Sequence, residues 1–323
     1  MNPNEQNPFL PLCRADMDAR GWDRPDFVYV TGDAYVDHPS FGVSIISRVL
    51  EDAGYRVAIL AQPDFRSCDA FREYGKPRLG FLVTSGNIDS MVAHYTAAKK
   101  HRSFDYYPPG GVMGKRPDRA VIVYTNRIRE AYGDVPVILG GLEASLRRFA
   151  HYDYWDNKVR RSILVDSRAD LLTYGMGENI LLRVAELLDR GVPIRKIRDV
   201  RGTVYLCDPA DPIHYDVAAT FDYNLLKTDK RAYAEAFGIQ YRNQDAINGR
   251  AICERYDNKL LVQNPPMPPL EREELDHVYS LPYQRAYHPS YATAGGVPGI
   301  EEVQFSLTHN RGCFGGWYFF ALS

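Results

Sequence analysis

One of the five cysteines in this 323-residue chain stands where it could do chemistry. Cys313 lies in Arg311-Gly312-Cys313-Phe314-Gly315-Gly316-Trp317, a glycine-rich loop that follows the alternating run Val303-Gln304-Phe305-Ser306-Leu307. That run predicts a β-strand, which would put Cys313 at a strand's C-terminal end, where α/β proteins place their reacting groups. Three further loops carry residue types suited to a ligand. Thr31 to Gly42 concentrates Asp33, Asp37 and His38 behind a predicted first strand. Gly140-Gly141-Leu142-Glu143-Ala144-Ser145 and Tyr174-Gly175-Met176-Gly177-Glu178 place glycines directly after strands, where a ligand can approach the backbone at a helix N-terminus. Each loop also has an ordinary structural use. Asp33 and Asp37 could end the strand and cap the next helix, with His38 as a partly buried hydrogen-bonder, and the glycines could serve tight strand–helix packing.

The elements needed to position these loops follow a βα rhythm. An irregular lead-in runs to residue 24. Strands are then predicted at 27–31, 56–60, 79–84, 137–139, 163–165 and 171–174, alternating with helices at 43–50, 65–74, 89–100 and 178–190. For 120–131 a helix is favoured over a strand plus helix. The segment 101–119 is too long for a simple connector, so it is either functional or mobile. Short apolar strands alternating with helices specify an α/β fold, a doubly wound and mostly parallel Rossmann-like sheet, with the three loops along its carboxyl edge. Beyond 190 the rhythm changes to a strand at 202–206, one polar helix at 223–237 and a β-hairpin over 250–263 turning at Asp257-Asn258. The resulting plan is a lead-in (1–24), a Rossmann-like domain (25–190), a small α+β extension (191–263), a Pro-rich linker (264–302) and the start of a further domain (303–323).

Composition narrows the class of function. Hydrophobic residues at 45% and charged residues at 25% are ordinary for a globular protein, and the length allows two domains. No run is apolar enough to cross a bilayer and the N-terminus lacks a signal-peptide pattern, so a cytoplasmic protein is expected. A net charge of −2 argues against a general nucleic-acid binder, although local basic patches leave that class open. Such a patch is the run from Arg147 to Arg161, read as a solvated helix end with cation–π and Asp/Arg pairs. Cys13, Cys68, Cys207 and Cys253 are scattered, with no zinc spacing, and are expected to be reduced thiols.

The loop around Cys313 resembles the cluster-binding loop of radical S-adenosylmethionine (SAM) enzymes, specifically the YgiQ-type family, whose loop reads R-G-C-F-G-G-C-S-F-C. The resemblance extends over nearly the whole chain through VTGDAYVDHPSFG, AQPDFRS, GNIDSMVAHYTA, LGGLEASLRRFAHYDYWDNKVRRSIL, YGMGE and LVQNPP. It implies a 4Fe-4S cluster held by cysteines at 313, 317 and 320, with SAM at the open iron, and an N-terminal domain that shapes or covers the substrate site. The GG and G-x-G-E loops resemble those of the cobalamin-binding-like domains that precede many radical SAM barrels. The cobalamin motif D-x-H-x-x-G is not matched, because Asp37 and His38 are adjacent and Gly42 lies four residues beyond His38. This argues against cobalamin and against a His ligand to cobalt.

Trp317 and Phe320 occupy two of the three cysteine positions, and neither side chain can ligate iron. The chain is read as reaching only the first strand and loop of the SAM barrel. It is therefore expected neither to cleave SAM reductively nor to bind iron stoichiometrically, with Trp317, Tyr318 and Phe320 as an aromatic tail that packs or promotes association. Two rival classes stand beside the radical SAM reading. One is a non-catalytic module whose loop edge binds a nucleotide, cofactor or substrate, to be marked by a large open pocket. The other is a structural partner domain, to be marked by an edge filled by the protein's own Tyr106–Gly111 loop.

Overall fold

The computed structural model describes residues 8–308 and Arg311. The chain forms two compact units, Met1–Val137 with Glu271–Asn310, and Ile138–Leu270 with Arg311–Ser323.

The first unit begins with α1 (Arg14–Ala19), β1 (Phe27–Thr31), β2 (Val36–Asp37), α2 (Gly42–Asp52), β3 (Val57–Ala61), β4 (Gly80–Val83), α3 (Ser90–His94) and α4 (Ala120–Tyr132). β1 is central, parallel to β3 on one side and β4 on the other, with Phe27 opposite both Val57 and Gly80. All five β1 residues are buried, as expected of a parallel strand covered on both faces. α2 turns Val43, Ile46, Val49 and Leu50 inward. It stops before Gly54, whose φ of +89° is one that glycine adopts without strain.

The second unit holds β5 (Val137–Leu139), α5 (Gly141–Leu146), β6 (His151–Asp153), β7 (Lys158–Arg160), α6 (Ile163–Ser167), β8 (Leu171–Thr173), α7 (Glu178–Asp189) and β9 (Thr203–Cys207). It continues through β10 (Val217–Asp222), α8 (Tyr223–Thr228), α9 (Lys230–Arg242), β11 (Ala251–Tyr256) and β12 (Lys259–Gln263). Its main strands lie in the order β5-β8-β9-β12-β11-β10. The pairs β5–β8 and β10–β11 are parallel, and β9 and β12 run antiparallel to their neighbours. The β11–β12 hairpin turns at Asp257, with φ +48°, in keeping with the turn chemistry expected there. The chain then returns to the first unit with α10 (Arg272–Ser280) and β13 (Ala286–Tyr287), which pairs antiparallel with β2. The fold is the expected α/β class with a mostly parallel, Rossmann-like sheet.

Several local expectations are corrected. Val303–Leu307 is not a strand: Val303 and Gln304 donate to the Ile300 carbonyl, so the segment closes on itself as a turn, and Phe305 is 91% exposed. Ile163–Val165 is helical because the Ser162 hydroxyl caps the Leu164 amide and so starts a helix where the apolar run alone suggested a strand. The helix expected over 89–100 ends at His94, where Tyr95 turns extended and bridges to His101. The one expected over 65–74 is a single 3-10 turn at Asp69–Arg72. The lead-in contains α1, and the polar helix at 223–237 is two helices divided at Asp229, whose carboxylate caps α9. The basic aromatic run begins at the C-terminal end of α5, where Arg147 is the cap, and continues into the β6–β7 hairpin; its Asp/Arg pairs are present, Arg160 with Asp156 at 2.8 Å and Arg161 with Asp166 at 2.7 Å, as is a cation–π contact of Arg148 with Phe149 at 5.7 Å.

Candidate functional site

In the first unit, the loop after β1 is organised by a close backbone approach. A Cβ on Gly32 would lie 2.1 Å from the Ser85 carbonyl oxygen, so only glycine lets this loop pass the end of β4. The turn delivers Asp33 into the interior, where it is 1% exposed. Its Oδ2 accepts from the Asn87 amide at 2.6 Å, and its Oδ1 lies 2.9 Å from Arg116 Nη1. Arg116, itself 1% exposed, donates Nη2 to Asp105 Oδ2 at 2.8 Å and Nη1 to the Ser85 carbonyl at 3.1 Å. Its guanidinium also lies 5.6 Å from the centre of the Tyr107 ring. Burial pushes the Asp33 carboxyl up to about 6 while Arg116 pulls it down, and the two carboxylates hold the Arg116 pKa up against its own burial.

Asp37 faces a different partner. It forms a buried two-point ion pair with Arg48 of α2 and accepts from the Gln284 amide at 3.0 Å. The Nδ1 of His38 accepts from the Ser40 amide at 3.0 Å, and burial lowers the pKa of its ring. Asp33, Asp37 and His38 are thus neighbours in sequence that serve three separate local structures. The 101–119 segment and the returning 281–300 segment close over the same loop. The Ala34 amide donates to the Tyr107 carbonyl at 3.2 Å, the Gly110 amide to the Gly296 carbonyl at 2.8 Å, and the Gly299 amide to the Tyr106 carbonyl at 2.7 Å. The chain's own segments thus cross this end of the first unit.

In the second unit, Gly140 precedes α5 and packs closely, since a Cβ there would lie 3.2 Å from Thr173 Oγ1 on β8. Gly141, at φ +77°, begins the helix, and Glu143 is buried in its first turn. Gly175, at φ +76°, has open space where a side chain would stand. Gly177 occupies the cap position of α7, and Glu178, the first residue of that helix, forms an ion pair with Arg311. A carboxylate there is also favoured by the helix dipole. Cys313, Trp317 and Phe320 lie outside the described residues. Among the described residues, no group of three or more His, Cys, Asp or Glu could hold a metal ion.

The central partners of this arrangement, Arg116, Asp105 and Arg48, were not singled out from the sequence. The only available signal was that Arg116 and Asp105 fall in a segment too long to be a connector. A second buried polar cluster was also missed. Glu254 on β11 is fully buried, and its Oε1 accepts from the Ala150 amide at 2.8 Å and from the Tyr256 hydroxyl. Tyr256 in turn accepts from the Ser162 amide at 2.7 Å.

The chain is similar in sequence to known proteins. The chain is 57% identical over 318 residues to a UPF0313 protein of Clostridium perfringens (strain SM101 / Type A), covering 98% of this chain and 48% of that one. It is 56% identical over 315 residues to a UPF0313 protein of Clostridium botulinum (strain 657 / Type Ba4), covering 98% and 49%. The chain therefore spans about half the length of the curated relatives it matches. Among solved structures, the radical SAM methyltransferase TsrM of Kitasatospora setae aligns with 55% of this chain and 28% of its own, at 18% identity and a TM-score of 0.37. The profile described as Radical SAM N-terminal matches residues 9–306, nearly the whole chain, and the protein belongs to that family.

Proposed function

We propose that this chain is the N-terminal part of a YgiQ-type radical SAM protein and acts there as a scaffold that shapes or covers the substrate site, without assembling a 4Fe-4S cluster of its own. The observation that carries the scaffold reading is the occupied end of the first unit. The Asp33–Arg116–Asp105 group and the crossing segments stand beyond the carboxyl end of β1, where a Rossmann-like sheet would receive a ligand. The ion pair between Glu178 and Arg311 supports the same reading in the second unit, because it spends the acidic residue of the G-x-G-E loop on anchoring the segment that leads to Cys313.

The donor set does not fit a cluster. One thiolate stands at 313, and the indole at 317 and phenyl ring at 320 offer no lone pair that binds iron. Anaerobic treatment with iron and sulfide should therefore leave well under one iron per chain and no broad visible absorption, and cobalamin added to the chain should remain free on dialysis. Recovery of about four irons per chain, or stoichiometric cobalamin, would overturn the proposal.

A further inference from the structure

We propose that the first unit binds a phosphate or diphosphate group at the end of its sheet opposite the occupied loop. The register of the parallel strands brings the site together. Phe27 of β1 pairs with Val57 of β3 and Gly80 of β4, so the residues just before these three strands converge at one edge, about 4.8 Å apart from strand to strand. Arg24, Asp26, Arg56 and Arg78 come from those three entries, and with Gly54 they line a cavity of about 360 Å³. That volume falls within the range of about 300–1,000 Å³ usual for small-molecule sites.

The charges do not balance within the cavity lining. Asp26, 7% exposed, accepts from Arg78 Nε at Oδ1 and from the Arg56 amide at Oδ2, at 2.8 Å for the latter, so both oxygens of the single carboxylate are engaged. Arg24 is pinned by bonds from Nε and Nη2 to the Lys76 and Pro77 carbonyls, at 2.8 and 2.9 Å. The Arg56 guanidinium has no hydrogen-bond or ion-pair partner among the described residues. Arginine cannot relieve repulsion by losing its proton, so the lining, with three guanidinium groups and one carboxylate, carries more positive than negative charge. Fork-like donors gathered at one opening, with Arg24 held in place and Arg56 free to turn toward a ligand, suit an oxyanion with several acceptor oxygens. The lining contains no aromatic or aliphatic side chain, which favours recognition of the phosphate group itself over a base or an acyl chain.

Calorimetric titration at constant ionic strength tests this, with inorganic phosphate, inorganic pyrophosphate and ADP as probes. Saturable one-site binding of pyrophosphate is expected, weakened about tenfold or more in Arg56→Gln and unchanged in Lys230→Gln, which lies on α9 outside the cavity. ADP binding as well as pyrophosphate would mark the end of a nucleotide as the ligand, and inorganic anions alone would mark free phosphate. Heats that follow only ionic strength, an absence of saturation at millimolar anion, or an Arg56→Gln protein that binds as the wild type does would each overturn the proposal. Saturation of the wild type decides the matter by itself should the variant fold poorly.

Discussion

Arg116→Met is expected to lower the free energy of unfolding by about 3–5 kcal/mol, the usual loss when one partner is removed from a buried ion group. Methionine fills much of the volume but leaves Asp33 and Asp105 as two carboxylates buried at 1% and 4% exposure without their shared cation. They must then either ionise unpaired in a low-dielectric interior or take up protons at neutral pH. The Ser85 carbonyl also loses its donor, and Tyr107 the cation beside its ring. Urea unfolding followed by far-UV circular dichroism measures the loss. Asp33→Asn and Asp105→Asn added to the same protein should recover much of it, because an uncharged set needs no cation. A loss below about 1 kcal/mol in the single variant would show that the group does not hold this loop.

The second large effect is a pH dependence centred on Glu254. Burial raises its carboxyl from the ordinary 4.5 to about 7, and the hydrogen bonds from the Tyr256 hydroxyl and the Ala150 amide offset this only in part. A folded-state pKa above the unfolded one means that this group's contribution is fully present below pH 4.5 and is lost as pH rises through 7. The shift corresponds to roughly 3 kcal/mol. Asp33, raised to about 6, acts in the same direction over a lower window. His151 acts oppositely, since burial and Arg147 push its ring down to about 4, and its contribution is lost as pH falls from 6.5 through 4. The part due to Glu254 is therefore the difference between wild type and Glu254→Gln, which mimics the protonated carboxyl. Unfolding free energies should show the variant gaining on the wild type by up to about 3 kcal/mol between pH 5 and pH 8. Parallel curves over that range would rule out Glu254 as the titrating group.

The sequence by itself determined the fold class, the central strands and the family. β1, β5, β8 and the β11–β12 hairpin were legible because short apolar or β-branched runs bounded by Gly, Pro, Asn or Asp have few other solutions. It also determined the donor chemistry at 313, 317 and 320, which depends on residue type alone. Tertiary structure decided where the polar groups go. Asp33 and Asp37 share one sequence loop, but the turn at Gly32 sends Asp33 to Arg116 and the β2–β13 pairing leaves Asp37 with Arg48. No local pattern announces such partners, because a charged residue can enter the interior only where a counter-charge from a distant segment meets it. Residues 303–307 show the same limit: their alternation was legible, but a strand needs a neighbour, and there the backbone closed on Ile300 instead.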